Sequence, residues 1–433
     1  MFTLILLMVV SIIFTSIIQY VTSQIKFSLH TARMEETFNV AEAGIHFYRW
    51  YIAHEIDGLT PAQVEAFWEN TSPYPHGVNT PYEADFEGVG KYRLEVTPPE
   101  SGSTSITVKS TGWTYKEPGL IRVIQVRLRR PAWSEYVIFS NSNLEIADGT
   151  ETFGKVHSNG GIRFQGVAHN LVSSAVPTYS YGGLTKDGVW TSWSSQYNTT
   201  MSNSVFLGGK AVGIGEEDFD SVIISFNQMF LEAQTLHFDW GSATQGHQIV
   251  LKGDVFDIYA ITGAAVNADG TVNNSKKHTV ALNVPLPNVA VIYVGKNIWI
   301  EGTLGNGKRL TVATEHSSTV KGNIYLYKDI RYENYTSHIV LGLAAEGNVE
   351  IIKGSSNNLH MDAVLLAQGG SVERTDTTAK NQLEIYGAIV VNQNYGFNGY
   401  NNVTLTFDNS LLYYPPPFFP TKNEYVLDLW EEK

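Results

Sequence analysis

From Met1 to Ile25 the chain reads MFTLILLMVVSIIFTSIIQYVTSQI, with no charged residue. Lys26 is the first charge and Glu35 the first acid. A helix rising about 1.5 Å per residue carries this run across a hydrocarbon layer of about 30 Å. A cleaved secretory signal has an apolar stretch of about 7–15 residues behind a basic region. Here the stretch is longer, nothing basic precedes it, and Val21-Thr22-Ser23 is a poor cleavage site. A plain signal anchor wants Lys or Arg on its cytoplasmic flank. Both departures vanish if a short basic leader has been removed and Met1 or Phe2 is the mature start.

No glycine occurs before Gly44 and no proline before Pro61. Nothing therefore breaks a helix running from Phe2 past His54. In its second half Phe38, Ala41, Ile45, Tyr48 and Ile52 recur at spacings of three and four, one apolar stripe. Arg33, Glu35, Glu36, Glu42 and Arg49 fall largely elsewhere. The spacing predicts one rod with a uniformly apolar front and an amphipathic rear that docks on a globular body. Asp57-Gly58 is the expected stop, and Thr60-Pro61-Ala62-Gln63 reads as a capping box opening a short helix through Trp68.

The 433 residues are 43% hydrophobic and 12% aromatic, enough for a real core, so disorder is excluded for the whole chain. Lys and Arg number 29 against 42 Asp and Glu, a net charge of −13. That balance opposes sequence-independent nucleic-acid binding, which needs a basic face. There is no cysteine, hence no disulfide, thiolate metal site or Cys nucleophile.

Phe2-Thr3-Leu4-Ile5-Leu6-Leu7 resembles the mature start of type IV pilins, and Ala41-Glu42-Ala43-Gly44-Ile45 resembles the segment closing the first helix of PilX-type pilin-like proteins. Pilins usually carry Glu at the fifth mature position, where Ile5 or Leu6 stands here; some minor pilins and tip pseudopilins also lack it. The resemblance implies that the helix is held in the inner membrane and then bundled with other copies in a filament core. Phe2, Leu4, Ile5, Leu6, Leu7, Val9, Val10, Ile12, Ile13, Phe14, Ile17, Ile18 and Val21 are the expected filament-core residues.

Behind the helix, Lys91–Thr97, Ser105–Lys109 and Leu120–Arg129 read as strands; the last, LIRVIQVRLR, alternates apolar and basic residues as a half-buried strand does. From Trp133 onward an asparagine before a short β-rich run recurs as Asn143-Leu-Glu-Ile, Asn297-Ile-Trp-Ile, Asn323-Ile-Tyr-Leu and Asn348-Val-Glu-Ile. A spacing near 25 residues suits one coil of a β-solenoid, with stacked asparagines satisfying turn backbone. The run from Val291 to Thr303, with Leu310–Thr314, Gly342–Glu346 and the closing Tyr414-Pro-Pro-Pro-Phe-Phe-Pro-Thr, resembles the β-helical ectodomain of uncharacterised bacterial pilus-associated proteins. Ser221–Thr235 is predicted as a helix, and Gln248–Val255 with Phe256–Ile261 as a hairpin.

The expected fold is α+β, mostly β: a long N-terminal α-helix packed on a small antiparallel sheet, then a β-solenoid, parallel β-helix-like, with an insertion. Residues 1–57 form the helix (apolar over 1–25, amphipathic over 26–57), and 58–132 the short helix plus sheet. Residues 133–165 and 286–415 form the solenoid, 166–285 an insertion decorating it, and 416–433 a C-terminal tail.

Chemistry has few anchors. Glu315 with His316, Glu346 with Glu350, Asp362, and Glu373 with Asp376 are carboxylates that a polysaccharide-active β-helix would gather on one face. None has a distinctive spacing, and exposed strand acids are common. His237, Asp239 and His247 lie close in sequence without a metal-ligand motif, and Glu216-Glu217-Asp218-Phe219-Asp220 lacks the EF-hand pattern. No catalytic, metal or cofactor residue is assigned. Tyr179, Tyr181, Trp190, Trp193 and Tyr197, set among Ser, Gly and Thr, are the candidates for contact with another molecule, a surface carbohydrate or host surface among them; the alternative is that they cover the solenoid's own flank.

The expected function is a structural subunit, not an enzyme. It would form a homo-oligomeric helical filament on the cell surface with the pilus assembly machinery, inserted in the inner membrane before assembly, with adhesion by the β body. Two alternatives stand beside it: a minor or tip pilin adhesin, and a membrane-anchored β-helix enzyme acting on polysaccharide.

Overall fold

A computed structural model describes residues 2–59, 61–69, 75–100, 103–192, 204–219, 224–238, 244–315, 321–336, 338–419, 421–422 and 425–433. The long helix α1 runs Phe2–Glu55 without a break, as the lack of internal glycine before Gly44 and of proline requires. It ends where Gly58 takes φ +70°, a left-handed position that closes a helix at little steric cost. The short helix α2, Pro61–Glu69, follows.

Four strands come next: β1 Tyr82–Phe86, β2 Gly90–Thr97, β3 Ser105–Thr114 and β4 Ile121–Arg129. They pair antiparallel in chain order. Their alternation sends Leu94, Ile106, Val108, Ile124, Val126 and Leu128 to one face, where they bury the rear of α1. The contact is close because Gly112 of β3 lies beneath α1: a Cβ there would fall 2.4 Å from the Ala41 nitrogen. Reciprocal ion pairs fasten the start of the docked half, Arg33 to Glu117 at 2.8 Å and Lys116 to Glu36 at 3.0 Å.

The rest of the chain is mostly β and its strands stack in parallel. One ladder runs Val289–Val294, Arg309–Thr314, Val340–Ala345, then the ends of Asn358–Ala367 and Lys380–Val391. Its next rungs are Ile138–Ser140, Val156–Ser158, Val172–Ser174 and Lys210–Val212. A second ladder stacks Thr244–Gly253, Asn297–Leu304, Ile324–Tyr332, Val349–Ile351, Val372–Arg374 and Tyr395–Phe397. A third uses the first halves of Asn358–Ala367 and Lys380–Val391, then Tyr400–Phe407, Thr150–Phe153 and Val167–Ala168. Ile292, Leu343, Ile300, Leu326, Leu383 and Ile138 fill the space between the ladders.

The order of these rungs corrects the expected division of the chain. The chain enters mid-stack at Ile138, climbs to one end at Lys210–Val212, crosses to the other end, and returns until Ile389 pairs with Ile138. Segment 166–285 is therefore no outside decoration. Its strands Val167–Ala168, Val172–Ser174 and Lys210–Val212 extend one end, and Thr244–Gly253 begins the other. The antiparallel strands Val255–Thr262 and His278–Pro285 then close that other end. The physical reason is the unpaired edge: each rung exposes backbone donors and acceptors that the next rung satisfies. The helix Ile224–Ala233 makes the crossing, shorter in the described residues than expected. It lies on the strand Val289–Val294, and its Phe226, Met229 and Ala233 share one buried cluster with Val291 and the other outward side chains of the first ladder. Val340–Ala345 is buried on both faces, with Pro416 and Phe419 of the C-terminal segment lying over Gly342.

Residues 416–433, expected as a tail, are also built in. Phe419 is buried on the same outward face, against Gly342, whose position leaves no room for a Cβ: one would meet the Phe419 ring at 2.3 Å. Strand Val426–Glu432 then pairs antiparallel with β4 and completes a five-stranded sheet. β4 has a free edge, and the last strand fills it.

Candidate functional site

The surface that stands out is the front of α1. Every residue from Phe2 to Arg33 is exposed. Phe2, Leu4, Ile5, Leu6, Leu7, Val9, Val10, Ile12, Ile13, Phe14, Ile17, Ile18 and Val21 all lie on this uncovered rod, Phe2 at 80% exposure and Val10 still at 42%. Its most apolar 18-residue window has a mean hydropathy of 2.5, so by length and composition the helix can cross a membrane. Over residues 2–21 no side of this rod is covered by the described residues, although an uncovered apolar rod is unfavourable in water by about 25 cal/mol per Å². The hydroxyls Thr15 and Ser16 bond back to the carbonyls of Ser11 and Ile12 at 2.8 and 2.9 Å, so they present no unsatisfied donor to an apolar surrounding.

The rear half is the counterpart. Ala41, Ile45, Tyr48 and Ile52 are fully buried and Phe38 is half-buried against the sheet. Thr37, Val40 and Gly44, outside the stripe that the spacing predicts, are buried with them. Thr37 turns its hydroxyl onto the Arg33 carbonyl at 2.8 Å, which lets a polar residue sit in the seam. Gly44 and Gly112, the close-approach points, carried only the signal of a lone glycine inside a helix and inside a strand.

The aromatic candidates divide. Tyr179 and Tyr181 lie on the strand Thr178–Tyr181, paired antiparallel with Leu184–Asp187, and Trp190 follows. Trp190 Nε1 donates to the Tyr179 hydroxyl at 2.8 Å, Tyr181 meets Trp190 edge-on at 5.2 Å, and the Arg163 guanidinium lies 5.4 Å from the Tyr181 ring. Tyr179 packs over Gly161. These rings are half-buried and largely occupied with one another and the stack's flank. Trp193 and Tyr197 lie outside the described residues.

The recurring asparagines form a ladder. Asn297 Oδ1 accepts the Asn323 N–H at 3.0 Å, Asn323 Oδ1 accepts that of Asn348 at 2.7 Å, and Asn348 Oδ1 accepts that of Ser371 at 2.8 Å. Asn143 does the same for Gly161 at 2.8 Å. Each side-chain oxygen satisfies a turn donor one stacking period further along.

Of the carboxylate candidates, Glu350 and Glu373 come together and the others lie apart. Glu315 accepts from the Tyr293 hydroxyl at 2.5 Å, and Asp376 accepts from buried Arg374 at 3.0 Å. Glu350 and Glu373 sit side by side in register; burial raises both carboxyls, and the charge of Glu373 adds to the effect on Glu350. Glu217 pairs with Lys422 at 2.6 Å. His237 stacks edge-on against Phe230 and Tyr293, and His247 is buried; neither joins a ligand set among the described residues. His316, Asp239 and Asp220 lie outside the described residues. Asp362 enters a cluster with His360 and Glu384, which spacing did not single out; the signal was the 24-residue interval from His360 to Glu384, near the stacking period.

No family model and no curated protein matches the chain. Among solved structures it is similar to the competence-associated pilin ComZ from Thermus thermophilus. That likeness has 11% identity and a TM-score of 0.31 over 93% of this chain and 98% of that one. It is also similar to an ice-binding protein from an Antarctic ascomycete, Antarctomyces psychrotrophicus, at 10% identity and a TM-score of 0.22 over 64% of this chain and 96% of that one. At these scores neither likeness bears on function.

Proposed function

We propose that this chain is a structural subunit of an extracellular type IV pilus-like filament, with the front of α1 bundled among copies and the β body displayed outward, where it can serve adhesion. In this reading the three parallel ladders are the faces of a β-solenoid, each coil supplying rungs to them. Before assembly the same front half lies in the inner membrane, from which the pilus assembly machinery withdraws it.

One observation carries the reading: α1 is a single unbroken helix whose rear is locked to a sheet while its whole front circumference is bare. A helix that only anchors needs lipid on all sides. A helix rigidly continuous with a folded body can also pass from lipid to a bundle without refolding. Burying such side chains contributes on the order of 1.5–3 kcal/mol each, enough to hold an assembly without covalent links. In this reading the role is structural rather than catalytic, and Glu315, Asp362 and Asp376 serve internal partners.

The chain has no cysteine, so a single cysteine at Ile13 is a clean reporter. In shed filaments seen by electron microscopy, Ile13→Cys crosslinks subunit to subunit. A purified chain that remains a detergent-bound monomer and never yields fibres overturns the proposal.

A further inference from the structure

On the outward side of the third ladder, His360 sits with each ring nitrogen against a different carboxylate. Nε2 lies 2.6 Å from Asp362 Oδ1, on its own strand, and Nδ1 lies 2.8 Å from Glu384 Oε2, on the next strand. Asp362 is fully buried, and its other oxygen accepts the Tyr332 N–H at 2.7 Å and the Tyr335 hydroxyl at 2.9 Å. The strand on the other side supplies Asp329, whose Oδ1 accepts the His360 backbone N–H at 3.0 Å and whose Oδ2 accepts from Arg331 at 3.1 Å. Gln382 donates to the second Glu384 oxygen at 2.6 Å, and Tyr386 beside Asp362 donates to Asp408 at 3.1 Å.

A neutral imidazole has one N–H and can serve only one of two carboxylates; the imidazolium has two. The cluster is complete only with the ring protonated. We propose that His360 is a proton-operated clamp between successive strands of this face, closed as the imidazolium and opened by deprotonation. The two carboxylates are not equivalent in what opening does. Asp362 has no access to water, whereas the Glu384 side chain is 44% exposed. The proton therefore leaves Nδ1, the ring keeps Nε2–H on Asp362, and Glu384 is released to solvent.

Burial opposes the charge on His360, but its bonds to Asp362 and Glu384 outweigh that and raise its proton affinity; Arg331 works against them. A histidine whose folded value is raised contributes stability that is fully present below its unfolded value of about 6.5. That contribution is lost as pH climbs through the raised folded value. The clamp thus holds at and below the ordinary histidine value and loosens as pH rises past the raised folded one.

The test is a pH titration of the full chain in detergent, with histidine labelled by carbon-13 and nitrogen-15 and the His360 signal identified by its loss in His360→Gln. The expected result is a midpoint above the ordinary value of about 6.5, with Nε2–H as the tautomer on the alkaline side. Glu384→Gln is expected to lower that midpoint. A midpoint at or below the ordinary value, or one that Glu384→Gln leaves in place, overturns the proposal. Should His360→Gln fail to fold, the signal that Glu384→Gln displaces identifies the ring, and the absence of any displaced histidine signal counts against the clamp.

Discussion

Arg127 donates from Nε to Asp428 Oδ2 at 2.6 Å, joining β4 of the N-terminal sheet to the last strand of the chain. Arg129 Nε stands 3.5 Å from the other oxygen of the same carboxylate, and Arg127 also donates to the Tyr413 hydroxyl at 3.1 Å. The chain thus ends by returning to the sheet on which its first helix docks, after lying across the outer face of the stack through Phe419. The base of α1 and the β body are tied together twice, once by the covalent passage at Pro131 and once by this strap.

Asp428→Asn removes a charge that two guanidiniums share. Leaving such donors without their partner costs about 1–3 kcal/mol. The expected outcome is a lower urea midpoint together with earlier protease cleavage in the last strand. An unchanged midpoint would mean that backbone pairing alone holds the strap.

Gly112→Ala places a methyl within 2.4 Å of the Ala41 backbone nitrogen, where the neighbour is helix backbone and cannot rotate aside. Overpacking of this kind costs about 1–3 kcal/mol. Thermal unfolding should fall accordingly, and α1 should gain hydrogen exchange around Ala41 while the parallel stack keeps its protection. Loss of protection in the stack instead would show that the two modules unfold as one.

Asn348→Ala deletes the acceptor for the Ser371 N–H. A buried donor left unpaired costs about 1–3 kcal/mol, and the backbone bond from Val349 N to the Ser371 carbonyl should hold the coil in register. The double variant with Asn323→Ala should cost less than the sum of the singles, because one ladder is lost twice. Strict additivity in calorimetry would argue that the asparagines act independently.

Glu350 and Glu373 predict a pH effect opposite to the usual carboxylate case. Their folded values are raised, by burial in both and by the neighbouring charge at Glu350. The native state therefore holds those protons to higher pH than the unfolded chain does, and stability falls as pH rises through the raised values. Glu350→Gln should raise stability at pH 7 by less than about 1 kcal/mol, since the groups are partly solvated, seen as a higher unfolding temperature. The gain should vanish below the ordinary glutamate value of about 4.3. A gain that persists in acid would assign the effect to something other than charge.

Much of this molecule was legible in its residues because the governing physics is local. The absence of any helix breaker from Phe2 to Glu55 specifies α1, and the stripe Ala41, Ile45, Tyr48 and Ile52 specifies which face it buries. The alternation over Ile121–Arg129 specifies a half-buried strand, and the spacing of Asn297, Asn323 and Asn348 specifies a stacking period near 25 residues. Three things were not legible. Ile138 pairs with Ile389, the chain crosses from one end of the stack to the other through Ile224–Ala233, and Val426–Glu432 completes the first sheet. Parallel strands with apolar interiors are chemically interchangeable as neighbours, so no local pattern says which rung meets which. The His360 cluster was hidden for the same reason. Backbone chemistry within a few residues decides each helix and strand; only packing, where one bare edge finds another hundreds of residues away, decides their order and which charges end up face to face.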